Sequence, residues 1–318
     1  MLTLPLRLTL RLTVLISLLV MLMQVVACML PLSQIIPIVT YNSPIILLLD
    51  VNRHVAAARR TNPSIVFDAV VSPDQQRIAF SMSNKRDIHI YVGGLFDNTY
   101  QPVSSTTLGE VNPAWSPDGS QIAFIGFELD NKRGIYTAAV DGTSSVQNVL
   151  KAGTFASPAW SPDGHFLTFA SSYYRDLPDI FVIASTCRIR CDRQVLQITT
   201  TLVADTAPTW SPDGTTIAFL SNRNGDYQIF TLDMRCMQPG ELKCSLQVPK
   251  QIRLQQLGSP VFEHWSLNSR EVYFRAWDSI TNQPALYAVK AACPSLAEGC
   301  QPRLIYNLAR TVTGKRSS

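Results

Sequence analysis

The side chains of this chain that are best suited to do chemistry are its seven cysteines. Apart from Cys28, they form three close pairs with three, seven and six intervening residues: Cys187 with Cys191, Cys236 with Cys244, and Cys293 with Cys300. A close pair can form a disulfide or supply half of a tetrahedral zinc site. Zinc pairs are typically separated by two residues, and each pair here lies between two apolar segments. We therefore predict three local disulfides, with zinc binding as the alternative.

The remaining residues form no recognisable catalytic or metal-binding set. The four histidines are spread along the sequence without the spacing of metal ligands: His54, His89, His165 and His264. The sequence contains no Gly-x-Ser-x-Gly motif, which would present a hydrolase nucleophile, and no glycine-rich loop that would hold a phosphate. We therefore predict no catalytic residue, no metal and no cofactor.

A repeated motif determines the elements that carry these side chains. Trp-Ser-Pro-Asp-Gly occurs three times, at 115–119, 160–164 and 210–214, and weaker copies lie at 71–75 and 265–269. Successive copies are therefore 44, 45, 50 and 55 residues apart. Proline, aspartate and glycine in this order favour a tight hairpin turn with the glycine in the left-handed conformation. Hairpins at this period predict an all-β propeller of four-stranded blades.

The motif and its surroundings resemble the WD-like repeat of TolB-type β-propellers. The resemblance rests on Pro-x-Trp-Ser-Pro-Asp-Gly, on the following apolar trio such as Ile122-Ala123-Phe124, and on Ile-Tyr or Ile-Phe about ten residues later, as at Ile135-Tyr136. It covers about residues 65–306. It implies the fold and leaves the function open, because the same repeat occurs in scaffolds, surface proteins and peptidases. A TolB protein carries an α/β domain before its propeller, and residues 29–64 are too few to form one, so we transfer no Tol-Pal contacts.

The chain is expected to form one propeller, most simply with six blades. The sixth blade would combine strands from 28–64 with a C-terminal strand near Leu308–Val312, because mixing the two ends closes the ring and removes exposed sheet edges. Five or seven blades are the alternatives. The predicted organisation is a leader at 1–27, the N-terminal segment 28–64, repeats at about 65–108, 109–153, 154–203, 204–256 and 257–306 within a propeller at 65–312, and a disordered tail at 313–318.

The first 27 residues are typical of an export signal. Arg7 and Arg11 precede an apolar stretch, which ends at Val25-Val26-Ala27-Cys28. This ending resembles a bacterial lipobox, in which Cys28 would carry the lipid. An uncleaved membrane helix and ordinary secretion are the alternatives. All three place the body of the protein outside the cytoplasm, where disulfides persist, and the first two anchor it to the membrane.

Charge and loop composition suggest the class of partner. The formal net charge of +4 is too small to indicate nucleic-acid binding. The loops between the second and third strands of the predicted blades are rich in arginine, aromatic and acidic residues, which are common in protein interfaces. The candidate binding residues are Arg133, Tyr173, Tyr174, Arg175, Asp176, Arg223, Asp226, Arg275, Trp277 and Asp278.

We therefore expect a membrane-tethered binding or scaffold module whose partner is a protein or a cell-envelope polymer. The alternative is a propeller-based enzyme, such as a lyase or a glycan- or peptide-active protein, with its site in the channel mouth. A convergent set of histidine, tyrosine and carboxylate in that mouth would favour the enzyme, and a broad face with exposed Tyr174 and Trp277 would favour binding.

Overall fold

The computed structural model describes the chain from residue 34 to residue 308. Internal gaps in that description fall at 40–42, 62–63, 85–86, 98, 105–107, 129–131, 143–144, 173, 175, 242–243, 245–247, 253, 255–256, 279–280 and 293–300. Within the described part, no helix has the length and apolar character needed to cross a membrane.

The chain folds into six antiparallel sheets, each built from strands in sequence order. The first is the closing blade, with β1 (Ile35–Val39), β2 (Ile45–Asp50) and β3 (Val55–Arg60). Blade one contains β4 (Val66–Val71), β5 (Arg77–Asn84), β6 (Asp87–Gly94) and β7 (Tyr100–Pro102); blade two contains β8 (Glu110–Trp115), β9 (Gln121–Phe127), β10 (Arg133–Ala139) and β11 (Gln147–Gly153). Blade three contains β12 (Phe155–Trp160), β13 (Phe166–Ser171), β14 (Asp179–Ala184) and β15 (Leu196–Gln197), with a 3-10 helix at Cys191–Arg193. Blade four contains β16 (Asp205–Trp210), β17 (Thr216–Ser221), β18 (Gln228–Asp233) and β19 (Lys250–Ile252); blade five contains β20 (Val261–Trp265), β21 (Glu271–Asp278), β22 (Gln283–Lys290) and β23 (Arg303–Asn307).

Six apolar clusters join these sheets into a ring, because each cluster lies between two neighbouring blades. The second strand of each repeat is covered on both sides, which explains why Ile122, Ala123 and Phe124 are apolar throughout and fully buried. Trp115 packs in the same layer and donates from Nε1 to the Val70 carbonyl of the preceding blade at 3.1 Å. The predicted six-bladed, all-β propeller is confirmed.

The repeated motif forms the predicted turn. The Gly119 amide donates to the Ser116 carbonyl at 2.9 Å, and Gly119 has φ +68°. Ser116 Oγ donates to Asp118 Oδ1 at 2.6 Å and accepts from the Gln121 amide at 2.9 Å. These groups of Ser116, Asp118 and Gly119 are therefore bound within the turn itself. The Gly119 carbonyl accepts from Arg77 Nη2 of blade one at 2.8 Å.

In the closing blade, β1, β2 and β3 occupy the second, third and fourth strand positions. The Ile35 amide at the start of β1 donates to Gln75 Oε1 at 2.7 Å, beside the turn that follows β4. Ser43, beyond the end of β1, pairs with Val66 at the start of β4. Since β1 thus runs opposite to β4, it has the direction of a second strand, and the first position is left for the C-terminus. Leu308 joins the buried cluster of the closing blade, and the rest of the strand predicted near Leu308–Val312 lies outside the described residues.

Candidate functional site

The strand order divides the ring into two faces of different construction. The turn face carries the Ser-Pro-Asp-Gly turns, which join first to second strands, and the loops that join third to fourth strands. The mouth face carries the loops that join second to third strands and the connections from blade to blade. The eight predicted binding residues that the structure describes belong to the mouth face by their place in the chain.

The four cysteines that the structure describes lie on the turn face. Cys187 forms a disulfide with Cys191 between β14 and β15, and Cys236 forms one with Cys244 between β18 and β19. These two local pairings are confirmed. Cys28, Cys293 and Cys300 lie outside the described residues, as does the leader.

Arg223 holds two parts of blade four together and has little surface left for a partner. Its Nη2 donates to both oxygens of Asp205 at 3.0 Å, and its Nε donates to Ser221 Oγ at 2.9 Å. The guanidinium also lies 4.5 Å from the centre of the Phe230 ring. The side chain of Asp205 is completely buried, so Arg223 supplies the charge that makes this burial tolerable.

Arg275 has a similar role between blade five and the closing blade. It donates from Nε to Glu263 and from Nη1 to the Val39 carbonyl, the latter at 3.1 Å. Desolvation raises the pKa of Glu263, and the charge of Arg275 opposes that rise. Asp278 is also engaged, since it accepts from Tyr287 Oη at 3.0 Å, and burial with this contact raises the pKa of Tyr287 to about 12.

The other predicted binding residues are presented to solvent or lie outside the description. Tyr174 and Trp277 are 59% and 49% exposed. Arg133, Asp176 and Asp226 are also exposed. Tyr173 and Arg175 fall in two of the gaps.

The mouth face also exposes apolar residues that the sequence analysis did not select. They lie within the first strand of a blade or just before it: Phe67 at 46%, Leu108 at 60%, Leu202 at 86% and Val261 at 48% exposure. The sequence places these residues in or beside blade connections and outside the buried apolar trios, but it carries no signal that their side chains are exposed. The mouth face therefore combines exposed apolar anchors with arginines that stabilise the ring.

Polar side chains also link the first strands of blades one to three. Asp68 accepts from Ser81 Oγ at 2.7 Å and from the Asn112 amide at 3.1 Å, and Asn112 Oδ1 accepts from the Ser157 amide at 3.5 Å. Desolvation raises the pKa of Asp68, and the hydrogen bonds from Ser81 and Asn112 oppose this rise. Burial lowers the pKa of His264 in blade five, and its neighbour Glu263 is held by Arg275. In the part of the chain that the structure describes, no three His, Cys, Asp or Glu side chains are grouped to hold a metal.

A family model described as the TolB beta propeller domain matches residues 100–246. Residues 100–246 are thus similar to a TolB-type β-propeller domain. A comparison with curated proteins gives no significant match. Among solved structures, TolB from Acinetobacter baumannii is 18% identical with a TM-score of 0.65, over 85% of this chain and 65% of that one. This chain thus spans less than two thirds of the length of that TolB.

Other structures with the TolB-like propeller fold come from different functional classes. A chain of a nidogen/laminin complex is 13% identical, with a TM-score of 0.60 over 85% of this chain and 98% of that one. An oligogalacturonate lyase from Vibrio parahaemolyticus is 12% identical, with a TM-score of 0.55 over 86% of this chain and 79% of that one. At these identities the likeness establishes the fold, and the function has to be argued from the site.

Proposed function

We propose that this protein is an extracytoplasmic, membrane-tethered propeller that binds a protein partner through its mouth face. The observation that carries the proposal is the set of exposed apolar and aromatic side chains on that face, with Leu202 and Trp277 as the main anchors. Tryptophan and tyrosine are enriched among the residues that dominate the binding free energy of protein interfaces, and exposed apolar side chains gain free energy when a partner buries them. A polysaccharide of the cell envelope, the other partner class considered, would depend more on polar contacts, and three of the polar candidates are engaged within the ring.

The fixed arginines support a binding role. Arg223 and Arg275 are held by buried carboxylates, so the mouth face keeps its shape without a partner. A preformed surface binds with a smaller loss of conformational entropy than a flexible one. The TolB-like fold also occurs in a nidogen/laminin complex.

The same carboxylates bear on the enzymatic alternative. Among the buried acids in the first strands, Asp205 and Glu263 each form an ion pair with an arginine. Glu110 accepts hydrogen bonds from the Ile90 amide and from Ser104 Oγ, and it lies 3.7 Å from His89 Nδ1. A carboxylate held in this way is poorly placed to transfer a proton to a ligand. We therefore favour binding over a lyase- or peptidase-like activity.

Location is the second part of the proposal. The Cys187–Cys191 and Cys236–Cys244 disulfides are expected in an oxidising compartment. Cys28 would carry the lipid. The intact mass of the membrane-extracted chain tests this: a diacylglycerol-modified chain that begins at Cys28 is expected, and an unprocessed chain with free thiols would contradict it.

Site-specific photo-crosslinking in cells of the source organism tests the binding face. The crosslinker would replace Leu202 or Trp277 on the mouth face, and Leu267 or Ile189 on the turn face as exposed controls. We expect discrete crosslinked products from the two mouth-face positions and none from the controls. Equal products from both faces, or none from the mouth face, would refute the proposal.

A further inference from the structure

A groove between blades two and three has the chemistry of a second binding site, which shares Tyr174 with the mouth face. It has a volume of about 490 Å³, within the usual range of small-molecule sites. One wall is β11 of blade two, with Asn148 to Lys151. The other is blade three, whose outer strand β15 has only two residues, so that the wedge between the blades stays open.

Aromatic rings form the floor and one end of this groove. Phe155, Phe169 and Phe181 are buried at its base. The ring centre of Phe169 lies 5.6 Å from that of Phe155 and 5.8 Å from that of Phe181. Tyr174 continues the series at 5.7 Å from Phe181 and is the exposed member. An apolar or aromatic group could stack on Tyr174 with the buried rings beneath it.

The rim of the groove is predominantly positive. Lys151, Arg188 and Arg190 line it, against the single carboxylate of Asp192. Arg188 uses Nη1 for the Ser185 and Cys187 carbonyls at 2.9 and 2.8 Å. Lys151 and Arg190 are exposed and form no ion pair with the described residues. Two cations are thus available to a ligand.

The disulfide-closed loop fixes one of these cations in place. Arg190 lies between Cys187 and Cys191 and has φ 50° and ψ 43°, a left-handed conformation that is unfavourable for a residue with a side chain. Strain of this kind persists where the surroundings impose it, and it is concentrated at functional positions. Here the disulfide and the hydrogen bond from the Arg193 amide to the Arg190 carbonyl, at 3.0 Å, hold it.

From this arrangement we propose that the groove binds a small organic anion with an aromatic body. The ring would stack on Tyr174, and the anionic group would lie between Arg190 and Lys151. The loop from Cys187 to Cys191 serves to present Arg190. The site shares Tyr174 with the mouth face, whereas Leu202 and Trp277, the main anchors proposed for protein binding, do not line it.

Two probes of equal size and opposite charge test the proposal. Indole-3-acetate and tryptamine would be titrated into the full-length chain in a nonionic detergent, with binding followed by the proton NMR signals of the probe. We expect indole-3-acetate to bind roughly tenfold more tightly, because a charge-assisted hydrogen bond is gained with one probe and lost with the other. Equal affinity, or no binding of either probe, would overturn the proposal.

Matched variants locate the site. Arg190→Gln and Lys151→Gln, which lie in different blades, should each weaken indole-3-acetate about threefold to tenfold. Arg193→Gln removes a neighbouring exposed cation that does not line the groove and should have no effect. Tyr174→Ala should weaken both probes alike, and thermal melts would verify that each variant is folded. An effect of Arg193→Gln as large as that of Arg190→Gln would exclude the groove.

Discussion

The turn face and the mouth face are built from the same strands, yet they are stabilised over very different distances in sequence. On the turn face, the hydrogen bonds within the turn of Ser116, Asp118 and Gly119 join residues two to five positions apart, and one further bond reaches the Gly119 carbonyl from Arg77 of blade one. On the mouth face, Arg223 reaches Asp205 across 18 positions and Arg275 reaches Val39 across 236. A face whose turns are satisfied locally can repeat without change, whereas a face assembled from distant residues can differ in every blade. A function that is specific to this protein is therefore expected on the mouth face.

The two weak copies of the repeat refine this comparison. Gln75 and Ser269 replace the turn glycine but keep its left-handed backbone, with φ 58° and 60°. Their side chains bind other blades: Gln75 Oε1 accepts from the Ile35 amide at 2.7 Å, and Ser269 Oγ accepts from the Asp213 amide at 3.0 Å. On the turn face, then, departures from the motif occur where a side chain links two blades.

The largest effect is expected from breaking a long-range contact of the mouth face. Arg223→Ala leaves the buried carboxylate of Asp205 without its partner and should lower the free energy of unfolding by about 3–5 kcal/mol. Urea unfolding under non-reducing conditions measures the change. The control is Arg235→Ala on the turn face, whose ion pair with Asp233 is exposed and should contribute nothing measurable.

A double variant sharpens this test. Removing both Asp205 and Arg223 should recover part of the loss, because no charge is then left buried and unpaired. If Arg223→Ala behaved like Arg235→Ala, the mouth face would not depend on its internal ion pairs.

A smaller effect is expected within the turns. Gly164 has φ +74°, and an added Cβ would meet only Pro117 at an ordinary contact distance of 3.9 Å, so Gly164→Ala should cost about 1–2 kcal/mol from backbone strain. Gln75→Ala keeps the strain and removes the hydrogen bond to Ile35, and should cost about 1–2 kcal/mol. Gln75→Gly relieves the strain while losing the bond, so the two changes should cancel to within about 0.5 kcal/mol. A clear gain in stability for Gln75→Gly would show that the link to the closing blade contributes nothing.

The smallest effect is expected from a change of pH. Lowering the pH should change the stability contributions of Asp68 and Asp118, one on each face, in opposite directions. Desolvation raises the pKa of Asp68, so the folded state binds a proton more readily than the unfolded chain. Its contribution to stability should therefore increase as pH falls from 7 towards the unfolded value of about 4. The hydrogen bond from Ser116 lowers the pKa of Asp118, whose contribution is present above about pH 4 and is lost as pH falls through its folded value.

Melting temperatures of Asp68→Asn and Asp118→Asn between pH 7 and pH 3 separate the two cases. The difference between wild type and Asp68→Asn should grow in favour of wild type from pH 7 to about pH 4. The difference for Asp118→Asn should be constant in that range and shrink below it. Parallel pH profiles for the two variants would contradict the opposite electrostatics of the two faces.

The candidate site was only partly predictable from the sequence. The sequence predicts the correct face, because the order of strands in a blade determines which strand ends lie together, although Arg133 lies in β10 and Arg275, Trp277 and Asp278 lie in β21 and not in loops. It does not distinguish Arg223 and Arg275, which are bound inside the ring, from Tyr174 and Trp277, which are exposed. It does not reveal the exposure of Leu202 and Val261 either, since an apolar residue in or beside a strand is expected to be buried unless the surrounding blades are known.

The sequence by itself determined the blade, the turn and the two described cysteine pairings. Each of these depends on residues close together in the chain, where the side chain and its partner are visible in one short stretch. The tertiary structure alone decided which polar side chains of the mouth face are engaged, which apolar ones remain exposed, and where blades two and three leave a groove. These properties depend on the meeting of residues up to 236 positions apart, and no local pattern records such a meeting.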